Sequence, residues 1–520
     1  MRTTRSAAAG LAVGAAMMAG SAVAQAPDRD TIVVAQSIDI ESFEPAGLNN
    51  TASVNVANHI WGTLLDVTPD GEIVPYLAES YSWNQAGNAI TFKLKSGLKC
   101  EDGEALTAED VAFSFNRVAD PELKLVGSSA VFVFPSIGFV RARADDALTV
   151  TVEMRRYQSI APGMLARVYV HCKDSYEKMT KEQAAHRPVA SGPYKLDRWV
   201  KDDRVVLVRN DQFTARPVPF QRAVFRVVPD SSTRAAELIA GGVDIATNIV
   251  PDQKRAIEAR GTATVASVQG TRRIFVGFNF TDAFKTGRAG EAIHDVRVRR
   301  ALNMAVDVPT ICRQLLASEC ERAAGPANRG NPDVKAYPYD PKQAEAMLDE
   351  AGFRRGPDGV RFALTLQGGR GRYLNDVDVM QAVAQYLTDV GVRTTVDVMD
   401  FVSTFSPMAR THRAGPLYLI GQGGATWSSV FDMALFPSKT APVNNGQWFN
   451  EGWQSRWDRL GDIRDPAQEQ QVVNEMLKLF AEDAPWIFLY FQPDFDGVSN
   501  RVAWAPRRDE RIDVLDAKVK

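Results

Sequence analysis

"ITFKLKSGLKCEDGEALTAEDVAFSF", Ile90 to Phe115, is the stretch whose reading decides the fold. Ile90, Phe92 and Leu94 alternate with Thr91, Lys93 and Lys95. That period of two predicts a strand with one face in a core, stopped at Gly97. Thr107 with Asp110 three residues on is a capping-box spacing, so a helix starts there and runs through "VAFSFNRV". A strand, a turn and a helix in succession mark a mixed α/β chain.

The flanking sequence repeats this grammar. "TIVVAQ" (Thr31–Gln36), "RVVLVRN" (Arg204–Asn210), "AVFRVVPD" (Ala223–Asp230), "RIFVGFNF" (Arg273–Phe280), "VRTTVDV" and "WIFLYFQ" (Trp486–Gln492) read as strands. Helices are predicted after Ser231-Ser232, after Asp295, from Pro341 to Gly352, and from Asp376 to Gly391. No internal repeat, low-complexity tract or Pro/Ser linker is evident, so domains should be joined by strands or short crossings. With 520 residues, two or three domains are expected.

Hydrophobic residues make up 45% and charged residues 24%, and the net charge is −3. A globular chain follows, without the positive footprint of a nucleic-acid binder. Arg2 and Arg5 precede a small apolar run, Ala7–Gly20, and then "SAVAQA". This reads as a secretory signal, cut after Ala24 or else after Ala26. The run is shorter than the ~20 residues of a membrane span. Its removal takes the net charge to −5, and no cysteine stands at the cut for lipid attachment. Cys100, Cys172, Cys312 and Cys320 would then meet an oxidising compartment. Among three possible pairings the local Cys312–Cys320 bridge is favoured, and four reduced thiols are the alternative.

Several chemistries lack their motifs. No Gly-x-Ser-x-Gly, His-Glu-x-x-His or Cys-x-x-Cys occurs, and five histidines are scattered without metal-ligand spacing. "YLIGQGGATWSSVF" (Tyr418–Phe431) approaches a dinucleotide fingerprint, but Thr426 stands at the third glycine position and no P-loop lysine follows. No metal or cofactor is expected.

Taken together, the opening stretch, "VPYLAESYSWN" (Val74–Asn84), "ASGPYKLDRWVKDDRVVLVRND", "VVPDSSTRAAELIAGGVDIATNI", "VRVRRALNMAVDVPTI" and "WAPRRDERIDVL" resemble extracellular solute-binding protein family 5. Cys100, Ala105 and Tyr81 depart from the usual pattern at packing positions. The resemblance implies an α/β, periplasmic-binding-protein-like fold of class II and the large three-domain type. Two lobes would be joined by strand hinges, "RIFVGFNF" and "WIFLYF", with an inserted domain. Residues 27–73, 191–282 and 485–520 would build lobe I, 74–190 the inserted domain and 283–484 lobe II.

The implied function is capture of a peptide or peptide-like solute between the lobes. Delivery would be to an ABC permease and its ATPase, by a periplasmic monomer. Nickel chelates, oligosaccharides, opine-like compounds, a chemoreceptor role and an exported hydrolase are the alternatives. The expected ligand contacts are Glu41, Phe43, Asn50 and Thr51 after the first strand, Phe278 and Asn279 at a hinge, and Arg370, Arg372 and Tyr373 in "GGRGRYLND". The alternative for Thr51 is a simple helix-capping role, and Arg370 is the expected partner of a ligand carboxylate. Gly421, Gln422, Gly423 and Trp427 complete the set, their glycines admitting backbone close to a solute. Dipeptide binders carry an aspartate near the position of Ala425, where this chain has no acid, and Asp432 comes too late.

Overall fold

The computed structural model describes residues 28–520 except 45–49, 126, 319, 329, 424–427, 435, 437–438 and 440–442. The leader and Trp427 therefore lie outside the described residues.

The deciding stretch folds as its pattern dictates. Ala89–Leu94 is a strand whose Ile90, Phe92 and Leu94 are fully buried while Lys93 is exposed. The Thr107 N–H donates to Asp110 Oδ2 at 2.7 Å, and helix Ala108–Ala119 follows. This strand belongs to a four-stranded antiparallel sheet ordered Ala78–Trp83, Ala89–Leu94, Thr149–Met154, Phe139–Ala144. Val111 and Phe115 of the helix share its core with Phe92, Val150 and Val152. Cys100 and Cys172 are disulfide-bonded at the edge of this unit, Cα atoms 6.1 Å apart.

A ten-stranded mixed sheet carries the rest. Its order is Val392–Asp400, Phe362–Arg370, Leu417–Gly423, Ala263–Phe278, Trp486–Ser499, Ile245–Ala246, Thr31–Gln36, Arg222–Val227, Arg204–Arg209, Tyr194–Val200. The first three strands form one lobe and the last five the other. The two long strands between them are common to both and pair antiparallel from Ala263↔Ser499 to Gly277↔Trp486. Register shifts fall between Gln269 and Arg273 and between Ile274 and Phe275. These are the hinge strands expected from sequence, but each is longer. The first begins at Ala263, because Ser267, Gln269 and Thr271 dilute its apolar pattern, and the second continues to Ser499.

Helix starts need two corrections. Asp230, not Ser231 or Ser232, caps helix Ser231–Ile239, accepting from Thr233 N at 2.7 Å. Asn50, not Thr51, caps helix Thr51–Ile60, accepting from Ser53 N at 2.8 Å. Both satisfy an otherwise orphan amide, as Asp and Asn do better than a residue already inside the helix. Helix Val308–Leu315 carries Cys312, and the left-handed turn at Ala317 (φ 45°) returns the chain so that Cys320 bonds to it.

Candidate functional site

A cleft of about 330 Å³ opens where the crossing strands meet both lobes and the segment behind the four-stranded sheet. The first helix brings Asn50 and Thr51, the hinge strand Arg272, and the loop after Phe362–Arg370 brings Arg372 and Tyr373. Strand Leu417–Gly423 presents Gly421, Gln422 and Gly423, the C-terminal tail supplies Glu510, and Glu41 lies at the exposed rim.

A charged network ties these elements together. Arg372 Nη2 donates to Thr51 Oγ1 at 2.9 Å and to Glu510 Oε2 at 3.0 Å. Arg272 Nη2 donates to the same Glu510 oxygen at 2.8 Å, and Arg272 Nε meets the other. The contact joins a loop of one lobe to a helix and tail of the other. Burial alone would push the Glu510 carboxyl up, but the Arg272 and Arg372 guanidiniums outweigh it and hold it below the usual carboxylate range. Asp494, close to Glu510, goes the other way: burial, and then the Glu510 charge, raise it well above the ordinary value. The two neighbouring carboxyls are thus pushed in opposite directions, Asp494 up by burial and Glu510 down by its two arginines.

Among the described residues, three buried polar atoms of cleft-lining side chains lack a hydrogen-bond partner: Asn50 Nδ2, Gln422 Oε1 and Arg511 Nε. Asn50 is 8% exposed and spends its Oδ1 on the helix cap, leaving Nδ2 unbonded. Gln422 donates Nε2 to Val443 O at 2.9 Å, leaving a buried Oε1 without a donor. Such orphans cost about 1–3 kcal/mol each unless a ligand or water meets them.

Of the residues expected at the site, Glu41, Asn50, Thr51, Arg372, Tyr373, Gly421, Gln422 and Gly423 line the cleft. Four do not. Phe43 is 2% exposed and packs edge-on against Trp199, centroids 5.4 Å apart. Phe278 is core, and Asn279 is fully buried with Nδ2 on Ala414 O at 2.6 Å, fixing the hinge end. Arg370 ends its strand exposed, and the positive φ of Gly371 (87°) turns the chain so that Arg372 enters the cleft instead.

Gly421 has a different purpose from the one expected. A Cβ there would stand 2.7 Å from both Ile274 Cδ1 and Tyr373 Cε1, so its bareness lets Tyr373 lie on the strand, its hydroxyl donating to Gly421 O at 3.3 Å. At Gly423 the nearest atom to a Cβ is Arg272 Cα at 3.5 Å, which leaves room. Asp432 does not line the cleft. It is fully buried, paired with Arg273 at 2.9 Å and accepting from Asn328 N at 2.8 Å.

The sequence reading missed Arg272, Glu510, Arg167 and Arg410, all in the lining. For the last two a signal existed: neither has an Asp or Glu within four residues on either side.

The chain matches the family described as Bacterial extracellular solute-binding proteins, family 5 Middle, over residues 72–443. The Glutathione-binding protein GsiB of Escherichia coli O1:K1 / APEC is 25% identical over 496 residues, covering 93% of this chain and 92% of that protein. NikZ from Campylobacter jejuni, in complex with Ni(L-His), superposes with a TM-score of 0.83 at 20% identity, covering 95% of this chain and 100% of the other. DppA from Helicobacter pylori, in complex with the peptide STSA, gives 0.82 at 19% identity, with 94% and 98% covered. The family match spans well over half the chain, the two solved structures repeat its fold over 94–95% of it, and the chain belongs to the bacterial extracellular solute-binding proteins of family 5.

Proposed function

We propose that the chain captures a peptide-like solute in the interlobe cleft and hands it to a membrane permease powered by an ABC ATPase, acting as a periplasmic monomer. The observation that carries this reading is the orphan pair. Asn50 Nδ2 is a donor from one lobe and Gln422 Oε1 an acceptor from the other. Together they complement an amide, which offers one carbonyl and one N–H. A solute that meets both is held only when the lobes are together, so it shifts the population toward the closed form. In this reading the lobe limits are 27–73, 191–282 and 485–520 against 283–484, with 74–190 inserted. Trp427, outside the described residues, stays in this reading as a ligand contact expected from the sequence alone. The names of GsiB and of the peptide-bound DppA support a peptide-like cargo.

Native mass spectrometry of protein purified from the periplasm identifies what co-purifies. Calorimetry with that molecule then compares Asn50→Ala and Gln422→Ala with the parent. Each should weaken binding by about tenfold, one lost hydrogen bond, while ligand-free stability falls only by the about 1 kcal/mol of the internal bond each also loses, the helix cap for Asn50 and the bond to Val443 O for Gln422. Unchanged affinity in both variants overturns the reading.

A further inference from the structure

We propose that the cleft takes a solute with two carboxylates, one held by Arg167 and the other by Arg410. This rests on the solute-binding reading of the cleft and narrows its cargo from any peptide-like molecule to an acidic one. Five arginines and three acids line the cleft. Most are already matched. Arg272 and Arg372 share Glu510, Arg511 is paired with Asp66 and Asp513, and Asp509 is paired with Arg507 at 2.7 Å.

Arg167 and Arg410 are different. Among the described residues neither forms an ion pair. The Arg167 guanidinium lies 5.4 Å from the Phe431 ring centroid, and Arg410 Nε donates to Ser406 Oγ at 3.2 Å. Outside the described residues the sequence holds a single acid, Glu319, beside the disulfide-bonded Cys320. Burial lowers the pKa of both guanidiniums, and the charges acting on Arg410, Glu41 foremost, do not reverse this. Two cations are thus taken partly out of water with only the more distant charges of Asp509 and Glu41 acting on them and no direct ion pair, a cost that ligand carboxylates reduce. A guanidinium matches a carboxylate bidentately, so each arginine selects a planar anion rather than a carbonyl.

Position adds to the argument. Arg167 follows helix Ala161–Leu165, behind the four-stranded sheet, and Arg410 ends helix Ser406–Arg410 in the lobe built on Val392–Asp400. A solute meeting both touches two separate parts of the molecule at once. That rewards closure on a diacid over closure on its amide.

Calorimetry on ligand-stripped protein tests this with matched pairs: Ala-Glu against Ala-Gln, glutathione against its diethyl ester, and glutarate against glutaramate. At least one diacid should bind about 30-fold or more tighter than its partner, the worth of one desolvated charge-assisted contact. Arg167→Gln and Arg410→Gln should each erode that preference, and Arg→Lys at each site should restore part of it, with ligand-free melting not lowered by either glutamine. Arg167→Lys stands in should Arg167→Gln fail to fold. Equal binding of acid and amide, no diacid bound below about 1 mM, or full preference in both arginine variants overturns the proposal. Glutarate preference without any peptide binding refutes the peptide reading while sustaining the diacid one. Peptide binding without acid preference does the reverse.

Discussion

Glu510→Gln is the sharpest probe of how the lobes are held. The carboxylate is 12% exposed, its partners Arg272 and Arg372 are 14% and 10% exposed, and Thr51 adds a fourth contact at 3.4 Å. Glutamine keeps the shape and one acceptor but removes the charge, leaving two guanidiniums facing each other. Breaking a buried pair from one side costs about 3–5 kcal/mol. The amide oxygen still accepts in the place of Oε2, where Arg272, Arg372 and Thr51 converge, so the lower end, about 3 kcal/mol, is expected here. With an unfolding entropy of about 2.1 cal/mol/K per residue, a 520-residue chain changes by about 1.1 kcal/mol per kelvin, so melting should fall by about 3 °C. The assay is thermal and urea unfolding of ligand-free protein, in low salt and in 1 M NaCl. Screening reaches buried pairs weakly, so the loss should persist in salt. Arg372→Gln should cost less in the Glu510→Gln background than alone, a coupling that a double-mutant cycle reads directly. A loss under about 1 kcal/mol, or one that disappears in 1 M NaCl, would identify an ordinary surface ion pair and refute the reasoning.

Three further outcomes are expected. Asp496 lies buried on the crossing strand, and its carboxyl is pushed up from 3.8 to about 7, chiefly by burial and further by the Glu510 charge. The folded value exceeds the unfolded one, so the native state binds the extra proton between them. Stability from this group is therefore greatest below pH 3.8 and falls as pH rises to about 7, by at most ~1.4 kcal/mol per pH unit. Asp496→Asn should raise melting at pH 8 and leave it unchanged near pH 4; an equal gain at both refutes the shift. The two disulfides close segments of 72 and 8 residues. Loop entropy makes them worth about 4 and about 2.5 kcal/mol, so Cys100→Ser/Cys172→Ser should lower the urea midpoint more than Cys312→Ser/Cys320→Ser, and the opposite ranking would contradict it. Arg370→Ala should leave ligand affinity intact, since the side chain is exposed at a strand end, and a tenfold loss by calorimetry would return it to the site.

The elements most legible in the sequence were those whose pattern is local. Alternation at Ile90, Phe92 and Leu94 gave the strand, and Asp110 three residues after Thr107 gave the cap there. Where pairing is long-range the pattern failed, as along Ala263–Thr271, whose partner lies more than two hundred residues away. The site divided in the same way. Segments were found, but individual side chains were confused with near neighbours: Arg370 with Arg372, and core Phe43 with the Asn50 that faces the cleft. Whether an arginine near the cleft is committed or uncommitted depends on the distance to acids far off in the chain. Glu510 neutralises two arginines that precede it by 138 and 238 residues, and periodicity carries no trace of that.

The central place of Trp486–Ser499 has a consequence for how the molecule comes into being. It is nearly the last strand in the chain, yet it lies between Ala263–Phe278 and Ile245–Ala246, in the middle of the large sheet. Until it arrives, the two half-sheets share no hydrogen-bonded ladder, and each presents an open edge inward. A chain that emerges amino end first therefore cannot complete its sheet until almost all of it is free. Glu510, later still, then joins the two arginines. Completion is cooperative and late, so a chain truncated before Trp486 lacks the strand that unites its lobes. Such a product exposes unpaired strand edges, the kind of surface that drives aggregation of incompletely folded chains.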